Sequence, residues 1–342
     1  MTTESTIRIH ILYDFKEDEA WGGGNQFLKA LRNVLKTQNQ YAETIQDADV
    51  ILINSHHKIG EAFAAKKKYP EKHFVHRIGS IFTHARNDSY LDVTIQRINN
   101  TIADGTIFQS GWSRDEYDIF CTDHEGMINP YRTVIPNAPD PKYFHPKKEP
   151  KKNKKIRIVT TAWATGSTKG HDILEYLNEQ LDFSRYEFWL LGNYKSNLSN
   201  FRHFPPAPSS VVGETLRLCD IFFTPVTHDS CSNSLVEGLH CGLPAVARNS
   251  GGNPELVLKT GSLLFNGIRD VLKCIDLVAS DIDFYSQRCN LPDLNEVADR
   301  YYQFCESIVK ETTPKKYSFN ERITYLIRAR VQWVREKLRG IS

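Results

Sequence analysis

Short apolar runs alternate with helical patterns along this chain, and the alternation begins twice. The first series opens with the run IRIHILYDF, passes through a glycine turn, and enters the amphipathic segment NQFLKALRNVLKT. Further apolar runs follow at residues 48–55, 72–79 and 105–110. The second series opens at residue 155 with KIRIVTTAW, a glycine-containing loop and the helical pattern HDILEYLNEQL. Strands separated by helices form parallel sheets, so we predict an α/β protein with two doubly wound parallel-sheet domains.

A segment without apolar periodicity separates the two series. A chain of 342 residues exceeds what a single hydrophobic core usually supports. Residues 134–158 contain five prolines and eight lysines or arginines, which is typical of a linker. We therefore predict an N-terminal domain over residues 1–147, a C-terminal domain over 148–318, and a tail helix over 319–342 that crosses back to the first domain. For the lysine-rich run, a solvated linker is favoured over a nucleic-acid patch.

Charge and cysteine content exclude several classes of protein. The 43 lysines and arginines and the 41 acidic residues leave a formal net charge of +2, which predicts no nucleic-acid partner. The seven cysteines lack zinc or redox spacing, which indicates a reducing compartment. No apolar run has the length of a membrane span and no secretory signal is visible, so we expect a cytoplasmic protein. Basic residues in the tail helix leave weak contact with a membrane surface as an alternative to simple solvation.

Two glycine-containing loops follow predicted strands, where ligands of parallel sheets bind. WGGGN, residues 21–25, lets backbone approach a ligand, and a tight turn without a ligand is the alternative. Its glycines do not form a dinucleotide fingerprint because Phe27 stands where the third glycine is needed, which disfavours an oxidoreductase. In ATGSTKG, which is not a P-loop, Lys169 suits a phosphate as a point charge, with a surface lysine as the alternative.

Histidines mark the carboxyl ends of two predicted strands in the first domain. His76 stands beside Arg77 at the end of one strand, and His56 and His57 follow the preceding one. A hydrogen-bonded structural histidine is more common at such a position than a catalytic one.

The stretch HDSCSNSLVEGLHCG combines two acids with a helix start, directly after the apolar run IFFTP. Asn233 or Ser234 is a natural cap, and the exposed amides at such a start favour a diphosphate. Glu237 lies one turn into the helix and suits the vicinal hydroxyls of a ribose. Asp229 lies in the preceding loop and suits the hydroxyls of a second polyol. A phosphate between two hydroxyl-binding acids describes a nucleotide sugar.

The block HDSCSNSLVEGLHCGLPAVARNSGGNPELV resembles the donor-site signature of the family 4 (GT4) retaining glycosyltransferases of the GT-B fold, the glycosyl transferases of group 1. GGGN, TIFQSGWS, VIPNAPDPKYFHP and TKG resemble other segments of this family, so the resemblance extends over nearly the whole chain. It implies two Rossmann-like domains facing across a cleft, with a nucleoside-diphosphate sugar held mainly by the C-terminal domain. It also implies front-face transfer with retention of configuration, without a divalent metal or another cofactor.

The same resemblance implies roles for individual residues. The donor-binding set is Gly23, Gly24, Lys169, Asp229, Ser232, Asn233, Ser234 and Glu237, and the catalytic set is His76, Asp229 and Lys169. The candidates on the acceptor side are Trp21, Asn25, His56 and Arg77. Asp229 is one methylene shorter than the usual glutamate, HRIGS differs from the commoner His-Asp motif, and no basic residue precedes Lys169 in WATGST. The nucleotide base is expected to meet backbone near residues 209–213.

We therefore predict an enzyme, a glycosyltransferase that moves a sugar from a nucleotide sugar to a glycan, lipid-linked or other hydroxyl acceptor. A catalytically silent nucleotide-sugar-binding module and a sugar-nucleotide epimerase on the same fold are the alternatives. The sequence does not specify the sugar, the base, the acceptor or the oligomeric state.

Overall fold

The computed structural model describes residues 6–16, 22–79, 81–86, 89–123, 126–146, 154–162, 167–194, 198–286 and 291–317. The chain forms two compact units. The first unit contains the described parts of Met1–Phe15, Leu31–Pro136 and Asn295–Ser342, and the second contains those of Lys16–Ala30 and Asn137–Leu294.

The first unit is built on a sheet of five parallel strands in the order β1-β2-β3-β4-β5. These strands are β1 (Ile9–Leu12), β2 (Val50–Asn54), β3 (His73–Ile78), β4 (Gly105–Phe108) and β5 (Arg132–Val134). The four apolar runs predicted as strands form β1 to β4, and every residue of β2, β3 and β4 is buried. Strands buried on both faces read as continuous apolar runs, which explains why the sequence revealed them.

The second unit is built on a sheet of six parallel strands in the order β11-β10-β9-β6-β7-β8. These strands are β6 (Ile156–Ala162), β7 (Tyr186–Gly192), β8 (Arg202–Phe204), β9 (Ile221–Thr224), β10 (Ala245–Arg248) and β11 (Leu263–Phe265). Its longest strands are those predicted from KIRIVTTAW and YEFWLLGN. Phe188, Phe223 and Phe265 contribute stacked and edge-to-face rings to the core on this sheet.

The predicted parallel α/β architecture is confirmed in both units, and the strand orders differ between them. In the second sheet, the chain adds β7 and β8 on one side of β6 and then β9, β10 and β11 on the other side, as a doubly wound sheet does. In the first unit, the described strands follow one another in chain order, so the predicted double winding is not found there. Apolar runs identify strands but carry no information about which side of β1 the next strand joins, and each crossover here continues in the same direction.

The helices between the strands follow the predicted amphipathic segments. They are α1 (Gly23–Thr37), α2 (Ile59–Lys68), α3 (Phe82–Arg86), α4 (Ser89–Ile102), α5 (Gly111–Asp123), α6 (His171–Gln180), α7 (Ser209–Arg217), α8 (Asn233–His240), α9 (Asn253–Val257), α10 (Ile268–Ser280), α11 (Ile282–Ser286) and α12 (Leu294–Glu311). In α1, Phe27, Leu28, Leu31 and Leu35 are buried as their spacing predicts.

The ends of the predicted domains differ from the two units. The prediction placed the boundary between residues 147 and 148. In the structure, the chain leaves the first unit after Pro136, and the first unit includes the chain again from Asn295 onward. Helix α12 therefore belongs with the first sheet, although it lies inside the predicted C-terminal domain. The predicted tail helix, 319–342, lies outside the described residues. Within the described part of the chain, no helix has the length and apolarity to cross a membrane.

Candidate active site

A cavity of about 190 Å³ lies within the second unit, at the carboxyl ends of its central strands. Seven of the eight residues predicted to bind the donor line it: Gly23, Lys169, Asp229, Ser232, Asn233, Ser234 and Glu237. The eighth, Gly24, does not. The sequence therefore located the loops that meet at this cavity, and their roles toward a ligand stay a prediction.

The start of helix α8 forms one wall of the cavity. The N-cap is Ser232 and not the predicted Asn233 or Ser234, and its hydroxyl accepts a hydrogen bond from the amide of Leu235 at 3.4 Å. The amides of Asn233 and Ser234 come first in the helix, and no backbone acceptor for them is found among the described residues. Free amides at the positive end of a helix dipole favour an anion such as a phosphate.

Lys169 reaches the same cavity from the loop after β6. A 3₁₀ turn over Ser167–Lys169 ends at Gly170, whose φ of 64° lies in the left-handed region. A Cβ atom at Gly170 would lie 2.5 Å from the carbonyl oxygen of Pro225, so only glycine permits this approach. The amide of Thr227 also donates to the carbonyl of Thr168 at 2.9 Å. These contacts fix the lysine loop to the loop that follows β9.

Asp229 lies in that second loop, and its backbone is held by the glycine pair after β10. Its carboxylate accepts a hydrogen bond from the amide of Cys231 at 3.2 Å, and its carbonyl accepts one from Gly252 at 2.8 Å. Gly251 has a φ of 62°, and a Cβ atom there would lie 2.5 Å from the Asp229 carbonyl oxygen. The glycine pair is thus required for the conformation of the Asp229 loop.

Asn253 adds a connection that the residue patterns did not indicate. Its fully buried side chain donates to the carbonyl of Val226 at 3.2 Å and to that of Arg248 at 3.1 Å. The first carbonyl belongs to the loop after β9, and the second belongs to the last residue of β10. An asparagine directly after a glycine pair was the available signal, since such a side chain commonly bonds nearby backbone.

Glu237 is partly exposed where it lines the cavity. Burial of its carboxyl group among protein atoms raises its pKa from 4.5 to about 8. At neutral pH the group is therefore mainly protonated, and it can both donate and accept a hydrogen bond. A pair of neighbouring hydroxyls offers the complementary donor and acceptor.

The cavity also has apolar lining residues. Leu191 and Gly192 end strand β7, and Pro206 and Ala207 lie in the loop before α7. Further lining residues are Phe144, Ser209, Val212 and Val226. Ser209 and Val212 fall in the segment 209–213 predicted to meet a nucleotide base. Apolar and polar residues around one cavity suit a ligand that joins an aromatic ring to a charged group.

The start of α1 and the residue before it contribute Gly22, Gly23 and Gln26 to the cavity. A Cβ atom at Gly23 would lie 2.5 Å from the Cβ of Asn233, so this glycine allows the start of α1 to approach α8. At Gly24 there is open space. Gln26 was not predicted as a site residue.

The remaining acceptor-side candidates of this loop have different surroundings. The side-chain oxygen of Asn25 accepts from the amide of Lys16 at 3.1 Å, and its amide group donates to the carbonyl of Lys16 at 3.2 Å. Asn25 is buried and shapes the loop through these bonds. Trp21 lies outside the described residues.

The first unit holds His76, Arg77 and His56, and none of them lines the cavity. His76 is fully buried in β3, its Nε2 donates to the carbonyl of Ser55 at 3.0 Å, and burial lowers its pKa to about 4. Arg77 is buried beside it and donates to the hydroxyl of Tyr301 at 3.1 Å. His76 therefore stands as a neutral, hydrogen-bonded residue, and its catalytic role stays a prediction.

Within the described residues, no three His, Cys, Asp or Glu side chains lie together in a way that could hold a metal ion. The six described cysteines are free thiols, and all are buried.

Part of the second unit is similar to a known protein family. Residues 170–279 match the model of the family described as glycosyl transferases group 1. This segment begins at Gly170, directly after Lys169, and it contains Asp229, Glu237 and the glycine pair. A comparison with curated protein sequences gave no match.

Solved structures share this fold over most of the chain. Anabaena HepE in complex with UDP and glucose has a TM-score of 0.65 at 13% identity, covering 88% of this chain and 100% of that one. The catalytic domain of starch synthase IV from Arabidopsis thaliana, bound to ADP and acarbose, has a TM-score of 0.65 at 8% identity, covering 90% and 100%. WaaG, a glycosyltransferase of lipopolysaccharide biosynthesis, has a TM-score of 0.61 at 11% identity, covering 90% and 100%.

Proposed function

We propose that the chain, which has the GT-B fold and whose residues 170–279 match the group 1 family model, is a glycosyltransferase that transfers a sugar from a nucleoside-diphosphate sugar to a hydroxyl acceptor. The transfer retains the anomeric configuration and needs no metal ion. The observation that carries this proposal is the convergence of Lys169, the start of α8, Asp229 and Glu237 on one cavity.

The diphosphate of the donor would lie between Lys169 and the amides of Asn233 and Ser234. Breaking the bond between the sugar C1 and the phosphate oxygen leaves negative charge on the nucleoside diphosphate. A lysine ammonium and helix amides already aimed at that charge stabilise it in the transition state without reorganisation. This arrangement supplies the charge stabilisation that a metal ion provides in other transferases.

The two acids of the cavity suit the hydroxyl groups of the donor. Protonated Glu237 would bond the vicinal hydroxyls of the ribose, and the apolar lining residues would contact the base. Asp229 would accept hydrogen bonds from hydroxyls of the transferred sugar. The complexes of HepE with UDP and glucose and of starch synthase IV with ADP support a nucleotide-bound cavity in this fold.

The reaction itself exchanges one bond at C1 for another. As the C1–O bond to the diphosphate breaks, the acceptor oxygen bonds C1 from the same face, and the acceptor proton passes to a phosphate oxygen. An oxocarbenium-like centre forms between the two events, so no carboxylate is required as a covalent nucleophile. Retention follows because both groups occupy the same face of the sugar.

Thermal stabilisation by nucleotide sugars tests the donor site. We expect one of the UDP-, GDP- or ADP-sugars to raise the Tm of the wild-type protein in EDTA. Lys169→Ala and Glu237→Ala each remove a charged or bidentate contact, so the affinity should fall about tenfold or more. His203→Ala, an exposed histidine of β8 outside the cavity, serves as the control and should bind as the wild type does.

Slow hydrolysis of the bound donor tests retention without knowledge of the acceptor. Proton NMR of the first sugar released should show the anomer of the donor. Release of the opposite anomer contradicts retention, and binding that appears only with added Mg²⁺ contradicts the absence of a metal. Binding that survives both alanine variants contradicts the assignment of this cavity.

A further inference from the structure

Gln26 lines the cavity of the second unit, and neither the sequence patterns nor the proposed function give it a role. It lies in the first turn of α1, within the segment Lys16–Ala30 of that unit. Its side chain is half-buried and has no hydrogen-bond partner among the described residues. A carboxamide carries two N–H donors and one carbonyl acceptor. These groups are therefore available to a ligand in the cavity.

The loop before α1 fixes the backbone that carries Gln26. The amide of Asn25 donates to the carbonyl of Gly22 at 3.0 Å. The buried side chain of Asn25 accepts from the amide of Lys16 at 3.1 Å and donates to its carbonyl at 3.2 Å. Gln26 follows directly, so a ligand that binds it has to order only a side chain and not a loop.

Gly23 places Gln26 beside the start of α8. A Cβ atom at Gly23 would lie 2.5 Å from both the Cβ and the Nδ2 of Asn233, so the two helices approach closely at this point. Gln26 lies three residues after Gly23, and residues three apart share one face of a helix. Gln26 is therefore on the face of α1 that meets the first residue of α8.

Polar side chains at the start of α8 are already bonded to protein atoms. The Oδ1 of Asn233 accepts from the Nδ2 of Asn137 at 2.9 Å, and the hydroxyls of Ser232 and Ser234 bond each other at 3.1 Å. Gln26 lines the same cavity, and its side chain can bind an anion without breaking an existing bond among the described residues.

We propose that the Gln26 carboxamide donates a hydrogen bond to the β-phosphate of the donor, the phosphate that carries the transferred sugar. The inference rests on the proposed function, in which Asp229 binds the sugar, the start of α8 the diphosphate and Glu237 the ribose. Asn233 is the first residue of α8, and Glu237 lies one turn further on. The contact at Asn233 therefore falls beside the phosphate that is more distant from the ribose, which is the β-phosphate.

A hydrogen-bond donor at the β-phosphate acts on the leaving group of the reaction. Negative charge grows on this phosphate as the bond to the sugar C1 breaks. A carboxamide already held beside that charge stabilises the transition state more than the bound donor. Gln26 thus contacts the substrate, and its loss should slow the breaking of the sugar–phosphate bond as well as weaken binding.

Nucleoside diphosphates and monophosphates distinguish the two phosphates, because only the diphosphate has a β-phosphate. Calorimetric titration of the full chain in EDTA uses UDP and UMP, or the guanosine or adenosine pair where the wild type prefers that base. Gln26→Ala should bind the diphosphate about tenfold more weakly than the wild type does and should bind the monophosphate equally well. Gln26→Glu places a carboxylate beside the phosphate, so its loss of diphosphate affinity should exceed that of Gln26→Ala.

Two measurements separate this contact from a structural role. Alanine is at least as good a helix former as glutamine, so Gln26→Ala without ligand should keep the Tm of the wild type. At saturating nucleotide sugar, its rate of donor hydrolysis should fall about tenfold or more. Gln303→Ala removes an exposed glutamine of α12 and should match the wild type in binding and in hydrolysis.

The diphosphate and monophosphate titrations also separate this inference from the proposed function. A Gln26→Ala variant that binds the diphosphate as tightly as the wild type overturns the contact. Equal losses of affinity for the diphosphate and the monophosphate, or an unchanged rate of hydrolysis, overturn it as well. A wild-type protein that binds none of these nucleotides or their sugars would instead reject the proposed function.

Discussion

Glu237 shows at the scale of a residue how burial changes a carboxyl group. Its pKa is raised from 4.5 to about 8, so the folded protein keeps a proton that the unfolded chain has released between these values. The free energy of unfolding therefore falls as the pH rises from about 4.5 to 8. Glu237→Gln has no such loss, so we expect its free energy of unfolding to exceed that of the wild type by about 2 kcal/mol at pH 8. This value is reduced because the carboxyl group is partly exposed.

Urea denaturation between pH 4 and pH 9 measures this difference. The two proteins should have nearly equal stability at pH 4 and should separate as the pH rises. Glu179→Gln, on the exposed face of α6, provides a carboxylate without burial and should follow the wild type throughout. Parallel curves for the wild type and Glu237→Gln would contradict a raised pKa.

The sequence identified several residues of the cavity and could not assign their protonation or burial. Lys169, Asp229 and Glu237 were predictable because each follows a strand within one short loop or helix. The pKa of Glu237 depends on atoms brought from distant parts of the chain, which no local pattern reveals. His76 was equally ambiguous, because a histidine at a strand end reads the same whether it faces a ligand or, as here, a neighbouring carbonyl.

At the scale of an element, two adjacent glycines in the first turn of helix α1 have different surroundings. A methyl group at Gly23 would lie 2.5 Å from the Cβ of Asn233, whereas one at Gly24 would meet no atom within 4 Å. Gly24→Ala should stabilise the helix by about 0.5 kcal/mol, because alanine loses less backbone entropy than glycine. Gly23→Ala should force the loop away from α8 and weaken nucleotide-sugar binding about tenfold.

Both variants are compared by urea denaturation and by nucleotide-sugar titration. Equal affinities in the two variants would mean that the approach of Gly23 to Asn233 does not shape the cavity. The sequence grouped both glycines as donor residues because a glycine run does not indicate which member lies against another element. Elements themselves were predictable from apolar periodicity, while the contact of Gly251 with Asp229 depends on how neighbouring loops meet.

At the scale of the whole molecule, the chain leaves the first unit, forms the second, and then returns through α12. The helix buries Tyr301, Cys305 and Ile308, and a Cβ atom at Gly105 in β4 would lie 2.7 Å from Ile308. The amphipathic pattern of such a helix predicts that one face is buried and does not specify the sheet that buries it. For this reason the predicted boundary assigned α12 to the C-terminal domain.

Asp104 secures the returning segment to the first unit. Its carboxylate accepts hydrogen bonds from the amide of Phe74 at 2.8 Å and from that of Lys315 at 2.7 Å. The Nζ atom of Lys66 lies 3.9 Å from the same carboxylate, and both side chains are almost completely buried. Desolvation lowers the pKa of Lys66, and the charge of Asp104 opposes this effect.

Removing this carboxylate should destabilise the first unit selectively. Asp104→Ala leaves the Lys66 ammonium buried without its counter-charge and frees two amides, so we expect a loss of about 3–5 kcal/mol. Adding Lys66→Met removes the unpaired charge and should restore part of that loss. Hydrogen exchange read on separate peptides should accelerate across β3, β4 and residues 312–317, while β9 and β10 keep their protection. If both units lose protection together, or if Lys66→Met brings no recovery, the buried charge pair is not what holds the returning chain.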